Sequence, residues 1–476
     1  MTADARFEPT WESLAQYAVP PWFKEAKLGI FIHWGVYSVP GFANEWYARN
    51  MYQQGSAEFQ HHVAAWGEHT QFGYKDFIPM FTAENFDPEA WIDLFKRAGA
   101  QYVVPVAEHH DGFAMYDTAF SEWNAAQMGP KRDVVAELAA AARRHGLTFG
   151  VSNHRAEHWW FFDGGQKFPS DVQDPRYDAF YGPAVEASPN ASFTSAEWTS
   201  QDWRPRPNAK FLDEWLARCC ELVDKYQPQV FWFDWWIEQA VFEPYLQKFA
   251  AYYYNHVTDP VLQYKLEAFP VGTALLDVER GKLSAIRPDY WQTDTSVSYK
   301  SWCYVADDHF KSVATLVHDL VDIVSKNGNL LLNVGPKPDG TIPAEASERL
   351  LGLGEWLHIN GEAIYGTRHW HTFGEGPTTV GGHMREHEDK PFTAQDVRFT
   401  ARDGALYAIA LGWPGDSAVI QSLRTGSALA AEQILSITML GSDESLTWSQ
   451  ADDGLHIATP STPPCVHAFT FKITLK

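Results

Sequence analysis

The chain has 476 residues, of which 45% are hydrophobic and 20% are charged; this is typical of a folded protein and excludes a disordered one. Its length predicts two domains. With 37 Lys and Arg against 60 Asp and Glu, the net charge is −23. Such a surface repels phosphate groups, so we expect neither nucleic acid nor an anionic membrane as a partner.

Seven short runs rich in β-branched and aromatic residues are predicted as strands of an α/β fold. In chain order they lie at 28–34, 102–107, 148–152, 229–236, 261–265, 289–293 and 329–334. Helical patterns follow or separate most of them, at 88–98, 131–145, 211–226, 245–254, 313–325 and 348–358. This alternation predicts a parallel sheet closed as a (β/α)8-like barrel over residues 1–365, with one strand degenerate.

The pattern changes at about residue 366. Gly and Thr separate runs that alternate between apolar and polar residues, such as 405–413, 433–440 and 468–475. Alternation with a period of two is typical of half-buried antiparallel strands. We therefore predict a C-terminal β-sandwich domain over residues 366–476.

The four cysteines have no paired spacing, and two of them, Cys219 and Cys220, are adjacent. A zinc ribbon, a CxxC redox motif and a disulfide framework are therefore not expected, and we predict no cofactor. The first residues, MTADARFEPTWESL, lack the basic and apolar regions of a signal peptide. This favours a cytoplasmic location, or a secreted or periplasmic one if a leader precedes the sequence.

The run QVFWFDWW at 229–236 contains one acidic residue, Asp234, among aromatic side chains. A carboxylate there is costly to desolvate unless it lies at the carboxyl end of the strand, facing a polar pocket. One interpretation is a structural Asp that caps the next turn. The other is a nucleophile or acid at the mouth of the barrel.

Histidines follow two other predicted strands. His33 ends the first, and His109 and His110 follow the second. Because the carboxyl ends of barrel strands share one face, which holds the active site in this architecture, we expect these residues to converge with Asp234.

Three kinds of function remain open on the residues alone. A metal-dependent hydrolase would use the cluster of His33, His109 and His110 as ligands, although adjacent histidines on a strand point to opposite faces. A glycosidase would use two carboxyl groups, about 5 Å apart if it retains configuration, and the many aromatics (21 Trp, 20 Tyr and 30 Phe) would stack on sugar. A carbohydrate-binding protein without catalysis would keep the lining and lack a proton donor.

Four segments in order resemble the family 29 glycoside hydrolases, the α-L-fucosidases. They are LGIFIHWGVYSVPGFANEWY at 28–47, HHDGF at 109–113, FWFDW at 231–235 and NGNLLLNVGPKPDGTIP at 327–343. The resemblance covers most of residues 10–366. It implies a barrel with a C-terminal β-sandwich and a retaining exo-α-L-fucosidase that acts on fucosylated oligosaccharides or glycoconjugates. Linkage preference and a possible homo-oligomer remain open.

The resemblance also implies roles for single residues. Asp234 matches the family's nucleophile. Matches to residues that hold the fucose hydroxyls are His33, Glu45, Trp46, His109 and His110. Trp232 matches an aromatic wall, Trp302 falls where an aromatic lies against the C6 methyl, and Lys265 falls where some relatives carry Arg.

The acid/base residue is harder to place, because the family varies most between the nucleophile and the last strand. The candidates are Glu238, Glu267, Asp277, Glu279 and Asp294. We predict Glu279, in an irregular loop and with an apolar surround, with Glu267 and Asp277 as alternatives. The long stretches at 48–85 and 159–208 are expected to shape the aglycone side of the site.

Overall fold

A computed structural model describes residues 6–187 and 205–476 of the chain. They form a barrel of parallel strands and a C-terminal domain of antiparallel strands. Within these described residues no helix is long and apolar enough to cross a membrane.

Eight parallel strands close the barrel, and strands that are consecutive in sequence are neighbours in space. They are β1 (Leu28–Ile32), β2 (Tyr102–Glu108), β3 (Thr148–Asn153), β4 (Val230–Phe233), β5 (Val261–Tyr264), β6 (Leu275–Glu279), β7 (Trp291–Ser296) and β8 (Gly328–Val334). β1 also pairs with β8, which closes the ring. Most of these strands are buried along their whole length, because helices and loops cover the barrel.

The helices lie outside the barrel and in the loops above it. They are α1 (Trp11–Leu14), α2 (Pro21–Ala26), α3 (Tyr47–Asn50), α4 (Ala57–Trp66), α5 (Pro88–Arg97), α6 (Val134–His145), α7 (Asp178–Tyr181), α8 (Ala209–Tyr226), α9 (Glu243–His256), α10 (Val313–Ser325) and α11 (Ala344–Asn360). Capping residues set the helix ends, as α6 illustrates. The Asp133 side chain accepts the N–H of Ala136 at its start, and Gly146 adopts the left-handed conformation, with φ 74°, at its end.

The prediction of seven strands is wrong, because the structure has an eighth, β6. Its sequence, LLDVE, has Asp277 at the centre, which interrupts its short apolar run. Asp277 is tolerated inside the barrel because it accepts hydrogen bonds from the Trp232 indole and the Gln292 amide. Glu279 is consequently the last residue of a strand and not part of an irregular loop.

The connections around β6 differ from the rest of the barrel. In the described residues 265–274 and 280–290 there is no helix, so β5, β6 and β7 are joined by loops alone. β5 is also short, and its last pair with β6 is Tyr264 opposite Leu276. The end of β6 therefore extends beyond its neighbour on that side.

The C-terminal domain consists of two antiparallel sheets. Its strands are β9 (Arg368–Glu375), β10 (Val397–Arg402), β11 (Ala405–Ala410), β12 (Ser417–Ile420), β13 (Ile434–Met439), β14 (Trp448–Gln450), β15 (Leu455–Ala458) and β16 (Phe469–Leu475). The order is β13-β16-β11-β10-β9 in one sheet and β12-β15-β14 in the other. Phe399 and Phe471 of the first share a core with Ile420 and Leu455 of the second, as in a sandwich.

Buried polar contacts join the two domains. Arg398 Nε on β10 lies 2.6 Å from Asp322 Oδ1 on α10, and the Trp356 indole of α11 donates to the Ala468 carbonyl at 2.9 Å. The predicted boundary between residues 365 and 366 lies between α11 and β9. The loop between β9 and β10 (residues 376–396, the β9–β10 loop) extends back to the barrel.

Candidate active site

Charged and aromatic side chains gather at the carboxyl ends of the barrel strands. His33 follows β1, His109 and His110 follow β2, Asp234 follows β4 and Lys265 follows β5. All five are at least 93% buried. The structure thus brings together the four residues that sequence patterning assigned to one face of the barrel, His33, His109, His110 and Asp234, with Lys265, which the family resemblance placed there.

Both carboxylate oxygens of Asp234 are held by neighbours. Oδ1 accepts from the Trp235 N–H at 2.9 Å and lies 3.2 Å from Lys265 Nζ. Oδ2 lies 3.1 Å from His154 Nδ1 and 3.5 Å from His110 Nε2. Burial by itself raises the pKa of Asp234, but the Lys265 charge and the His154 hydrogen bond outweigh it, and the pKa is held well below its usual range. Asp234 is therefore an oriented carboxylate.

Lys265 connects three carboxyl groups. Besides Asp234, its Nζ lies 2.6 Å from Glu279 Oε2 and 3.4 Å from Asp294 Oδ2. The Asp234 and Glu279 oxygens share one ammonium at 3.2 and 2.6 Å, so they lie no farther apart than the sum of these distances, 5.8 Å. Burial, followed by the charge of Asp277, raises the pKa of Asp294 well above its usual value, although the charge of Lys265 opposes this shift.

Among the predicted proton donors, Glu279 alone combines contact with Lys265 and access to solvent. Its side chain is 16% exposed, whereas that of Asp294 is 1% exposed. Asp277 is fully occupied beneath the site, where it accepts from Trp232 at 3.0 Å and from the Asp294 N–H at 3.1 Å. Glu267 is exposed beside a groove of about 610 Å³ that Glu238 also lines. The expected apolar surround of Glu279 is wrong, because Lys265 faces it.

The histidine rings form a cluster beside Asp234. The ring centroid of His109 lies 4.1 Å from that of His110, 5.7 Å from that of His33 and 4.7 Å from that of His154. His109 and His110 both face the site because β2 has already ended at Glu108. Burial lowers the pKa of His110 to about 3 and lowers the pKa of the other three as well. The cluster is therefore neutral at ordinary pH and can both donate and accept.

His154 is a site residue that sequence analysis missed. It follows β3 directly, so the rule that identified His33 and Asp234 applies to it equally. Its Nε2 lies 2.9 Å from Ser152 Oγ and its Nδ1 3.1 Å from Asp234 Oδ2. A neutral imidazole that donates to Asp234 through Nδ1 accepts from Ser152 through Nε2, which fixes tautomer and ring orientation.

Three tryptophans line the site. The Trp232 ring lies 4.6 Å beneath Lys265 Nζ, and the Trp302 ring is 5.1 Å from that of His33. Glu45 holds the Trp302 backbone, accepting its N–H at 3.1 Å. Trp46 lies 5.3 Å from His110. The structure therefore places every predicted substrate-binding residue around one pocket.

Arg280 and Asn333, which sequence analysis also missed, support this lining. The Arg280 guanidinium stacks 4.5 Å from the Trp302 ring. Asn333 Oδ1 lies 2.8 Å from His33 Nδ1, and its amide donates to the Trp302 carbonyl at 2.7 Å. Both act through residues that face the pocket.

Two groups could hold a metal ion among the described residues: His33 with His109 and His154, and His110 with His154 and Asp234. In each group the potential ligand atoms lie within 4.8 Å of one another. His33 Nδ1 and both nitrogens of His154 already have protein partners. Metal ligation by these nitrogens would displace some of those partners.

The predicted aglycone loop at 159–208 lies partly outside the described residues. Its described part, up to residue 187, packs against the site, since the Phe161 ring lies 5.5 Å from that of Trp46. Arg49 fixes it with an ion pair of 2.7 Å to Asp163. The loop therefore contributes to the wall of the pocket.

Comparison with known proteins identifies the family of this chain. The family model described as Alpha-L-fucosidase matches residues 1–362, and the model of the Alpha-L-fucosidase C-terminal domain matches residues 389–474. The chain is 33% identical to the tissue alpha-L-fucosidase of Rattus norvegicus, over 99% of this chain and 93% of that protein. It is also 33% identical to the tissue alpha-L-fucosidase of Homo sapiens, over 99% and 91%.

Solved structures agree. The Thermotoga maritima alpha-fucosidase in complex with fucose superposes with a TM-score of 0.77 at 33% identity, covering 98% of this chain and all of that one. The same enzyme in complex with a mechanism-based inhibitor gives a TM-score of 0.78 at 32% identity. The chain belongs to the α-L-fucosidase family of glycoside hydrolases.

Proposed function

We propose that the protein is a retaining exo-α-L-fucosidase that releases terminal α-L-fucose from fucosylated oligosaccharides or glycoconjugates. The supporting observation is that Lys265 holds oxygens of Asp234 and Glu279 no more than 5.8 Å apart. Retaining glycosidases have carboxyl groups about 5–5.5 Å apart, whereas inverting enzymes need about 6.5–9.5 Å to admit water between them. The upper bound of 5.8 Å between these two oxygens is compatible with the shorter spacing and supports double displacement.

Asp234 is the nucleophile in this proposal and Glu279 the acid/base. Glu279 gives its proton to the aglycone oxygen as the bond from C1 to that oxygen breaks, and Asp234 forms a bond to C1. In the second step Glu279 takes a proton from water, the water oxygen bonds to C1, and the bond to Asp234 breaks. The sugar leaves with its original configuration. The two hydrogen bonds of Asp234 to His154 and the backbone aim its oxygens throughout.

The neutral histidines bind the sugar hydroxyls. His33 donates through Nδ1 to Asn333 Oδ1 and His110 through Nδ1 to the His154 carbonyl, so Nε2 of each neutral ring is an acceptor. His109 Nδ1 is a buried nitrogen with no hydrogen-bond partner among the described residues. A hydroxyl would satisfy it. Trp302 offers an apolar face for a methyl group, and Glu45 positions it. These side chains are at least 92% buried, which is compatible with a pocket that takes a terminal sugar.

The test of the proposal is Asp234→Gly with an aryl α-L-fucoside. We expect turnover to fall by several orders of magnitude and added azide to restore part of it, giving the β-fucosyl azide, because the small nucleophile enters the space of the missing carboxylate. Normal turnover of Asp234→Gly would overturn the proposal. So would wild-type hydrolysis that first yields β-L-fucose, as seen by proton NMR of the initial product.

A carbohydrate-binding protein without catalysis is disfavoured by the same geometry. Such a protein needs the lining of histidines and tryptophans but not the pairing of Lys265 with Asp234 and Glu279. Fucose release from an aryl fucoside by the wild-type protein separates the two functions directly.

A further inference from the structure

The β9–β10 loop of the C-terminal domain reaches the barrel next to Glu279. The N–H of Glu279 donates to Nδ1 of His383 at 3.1 Å, and the N–H of Met384 donates to the carbonyl of Glu279 at 2.8 Å. Both backbone groups of Glu279 are thus bound by consecutive residues of another domain. His383 is distant in sequence, 104 residues farther along the chain.

The barrel leaves these backbone groups without a strand partner. Successive residues of a strand direct their backbone groups alternately to the two neighbouring strands. The Arg280 N–H bonds to the Asp294 carbonyl of β7 at 2.9 Å, so the groups of Glu279 face the β5 side. There β5 has ended at Tyr264, opposite Leu276. A buried strand end needs partners, and His383 and Met384 supply them.

Ion pairs hold the loop against the barrel. Glu386 Oε1 lies 2.7 Å from Arg280 Nη1, and its Oε2 lies 2.8 Å from Lys311 Nζ. Burial by itself raises the pKa of Glu386, but these two cations outweigh it and lower the pKa to about 2. Asp389 forms a further ion pair with Lys282. The loop is thereby fixed to the strand end that carries Glu279.

The loop passes so close to the barrel that residue 281 must be glycine. A Cβ atom on Gly281 would lie 2.0 Å from the carbonyl oxygen of Gly382. Backbone therefore packs on backbone directly after Glu279. His383 is an exposed residue of this loop, and the hydrogen bond that its Nδ1 accepts from the Glu279 N–H ties it to the barrel.

We propose that His383 is a positioning residue for the proton donor, through which the C-terminal domain sets the backbone of Glu279 at the end of β6. The proposal rests on the acid/base role given to Glu279 above. A neutral imidazole that accepts at Nδ1 carries its proton on Nε2. Without this acceptor, the last residue of β6 loses one of the two hydrogen bonds that its backbone makes to the loop, and its carboxyl group shifts relative to the aglycone oxygen. Displacements of about 1 Å can reduce turnover about 100-fold.

The experiment compares His383→Leu and His383→Asn in the full-length protein. Leu removes the acceptor, whereas the Asn side-chain oxygen takes the place of Nδ1. His387→Leu is the matched control, since His387 is on the same loop with its side chain 74% exposed. Each is assayed on an aryl fucoside with a good leaving group and on an alkyl fucoside with a poor one, which depends on proton donation.

We expect His383→Leu to lower kcat/KM about 10-fold to 100-fold on the alkyl fucoside and less than threefold on the activated one. His383→Asn should restore most of the loss, and His387→Leu should match wild type on both. Equal losses on both substrates, or no rescue by Asn with an unchanged Tm, would overturn the proposal. Gly281→Ala displaces the loop through a steric clash with the Gly382 carbonyl. It should therefore also lower kcat/KM mainly on the alkyl fucoside. A wild-type ratio of the two kcat/KM values in this variant would contradict the proposal.

Glu279→Ala separates this inference from the proposed function. If Glu279→Ala shows no dependence on the leaving group, the acid/base assignment itself fails. If Glu279→Ala shows the dependence and His383→Leu does not, the assignment stands and the role of His383 fails.

Discussion

His154 Nδ1 lies 3.1 Å from Oδ2 of Asp234, and Ser152 fixes the tautomer that makes this nitrogen the donor. Removing the bond leaves the nucleophile with Lys265, one backbone N–H and the longer contact of 3.5 Å to His110 Nε2. We expect His154→Leu to reduce kcat/KM about 10-fold to 100-fold, since a hydrogen bond to a charged group contributes about 1.5–3 kcal/mol. Because the bond lowers the pKa of Asp234, its loss should also shift the acidic limb of the pH–rate profile to higher pH.

The matched variant is His154→Asn, whose amide can still donate from the position of Nδ1. It should retain more activity than His154→Leu and keep the acidic limb near that of wild type. An acidic limb that does not move in His154→Leu would contradict the role assigned to this hydrogen bond.

Lys265 is the counter-charge of two catalytic carboxyl groups in the proposal, and its side chain is 4% exposed. Lys265→Met removes this positive charge from beside Asp234 and Glu279. We therefore expect the free energy of unfolding to fall by about 3–5 kcal/mol, and the activity to fall further than in His154→Leu. Urea unfolding and steady-state kinetics measure the two effects. Lys265→Arg keeps the charge and should be the milder variant in both. Equal effects of Met and Arg would show that size, and not charge, matters here.

Chelation distinguishes a glycosidase from a hydrolase that depends on the cluster of His33, His109 and His110. We expect dialysis against EDTA to leave kcat/KM unchanged within twofold, because the proposed chemistry uses carboxyl groups. The control is the same dialysis followed by added Zn²⁺. Activity that is lost on dialysis and restored by Zn²⁺ would favour the metal-dependent reaction.

Asp111 couples folding stability to pH. Burial raises its pKa from 3.8 to about 7, although the Tyr74 hydroxyl, which donates to it at 2.7 Å, opposes the shift. Between about pH 4 and 7 the folded protein keeps this proton while the unfolded chain releases it. Asp111 therefore contributes stability below pH 4 that is lost as the pH rises, by up to about 1.4 kcal/mol per pH unit.

Asp111→Asn removes this titration. Relative to wild type, the variant should gain stability steadily from about pH 4 to 7, as measured by urea unfolding at several pH values. Tyr74→Phe removes an interaction that lowers the pKa of Asp111, so its pH dependence should extend to higher pH. A difference between Asp111→Asn and wild type that does not change with pH would contradict the assignment.

Much of the candidate site could be predicted from one pattern in the sequence, in which a polar residue directly follows an apolar strand. His33, His109 and Asp234 each come directly after an apolar strand, and the geometry of a parallel barrel brings such positions to one face. Most of the strands were predictable because they contain short runs of β-branched and aromatic residues, as in LGIFI of β1 and VFWF of β4. β6 was not, because Asp277 interrupts it, and its compensation by Trp232 and Gln292 is visible only in three dimensions.

Contacts between distant segments account for the rest. The pairing of Lys265 with Glu279 depends on the neighbouring ends of β5 and β6. The bond of His383 to Glu279 joins two domains, and its loop has neither apolar periodicity nor a motif. Local patterning carries no information on which distant backbone group a loop will meet.

The end of β6 has no strand partner on its β5 side, and this makes the two domains of the protein depend on each other. The two family models match as separate segments, which suggests exchangeable units. However, the sandwich domain supplies backbone partners for Glu279 and buried counter-charges for Arg280 and Lys311. A barrel expressed alone, or fused to a foreign sandwich, would have a frayed end of β6 and would leave Arg280 without its carboxylate partner beside the reaction centre, whereas Lys311 would keep Asp319.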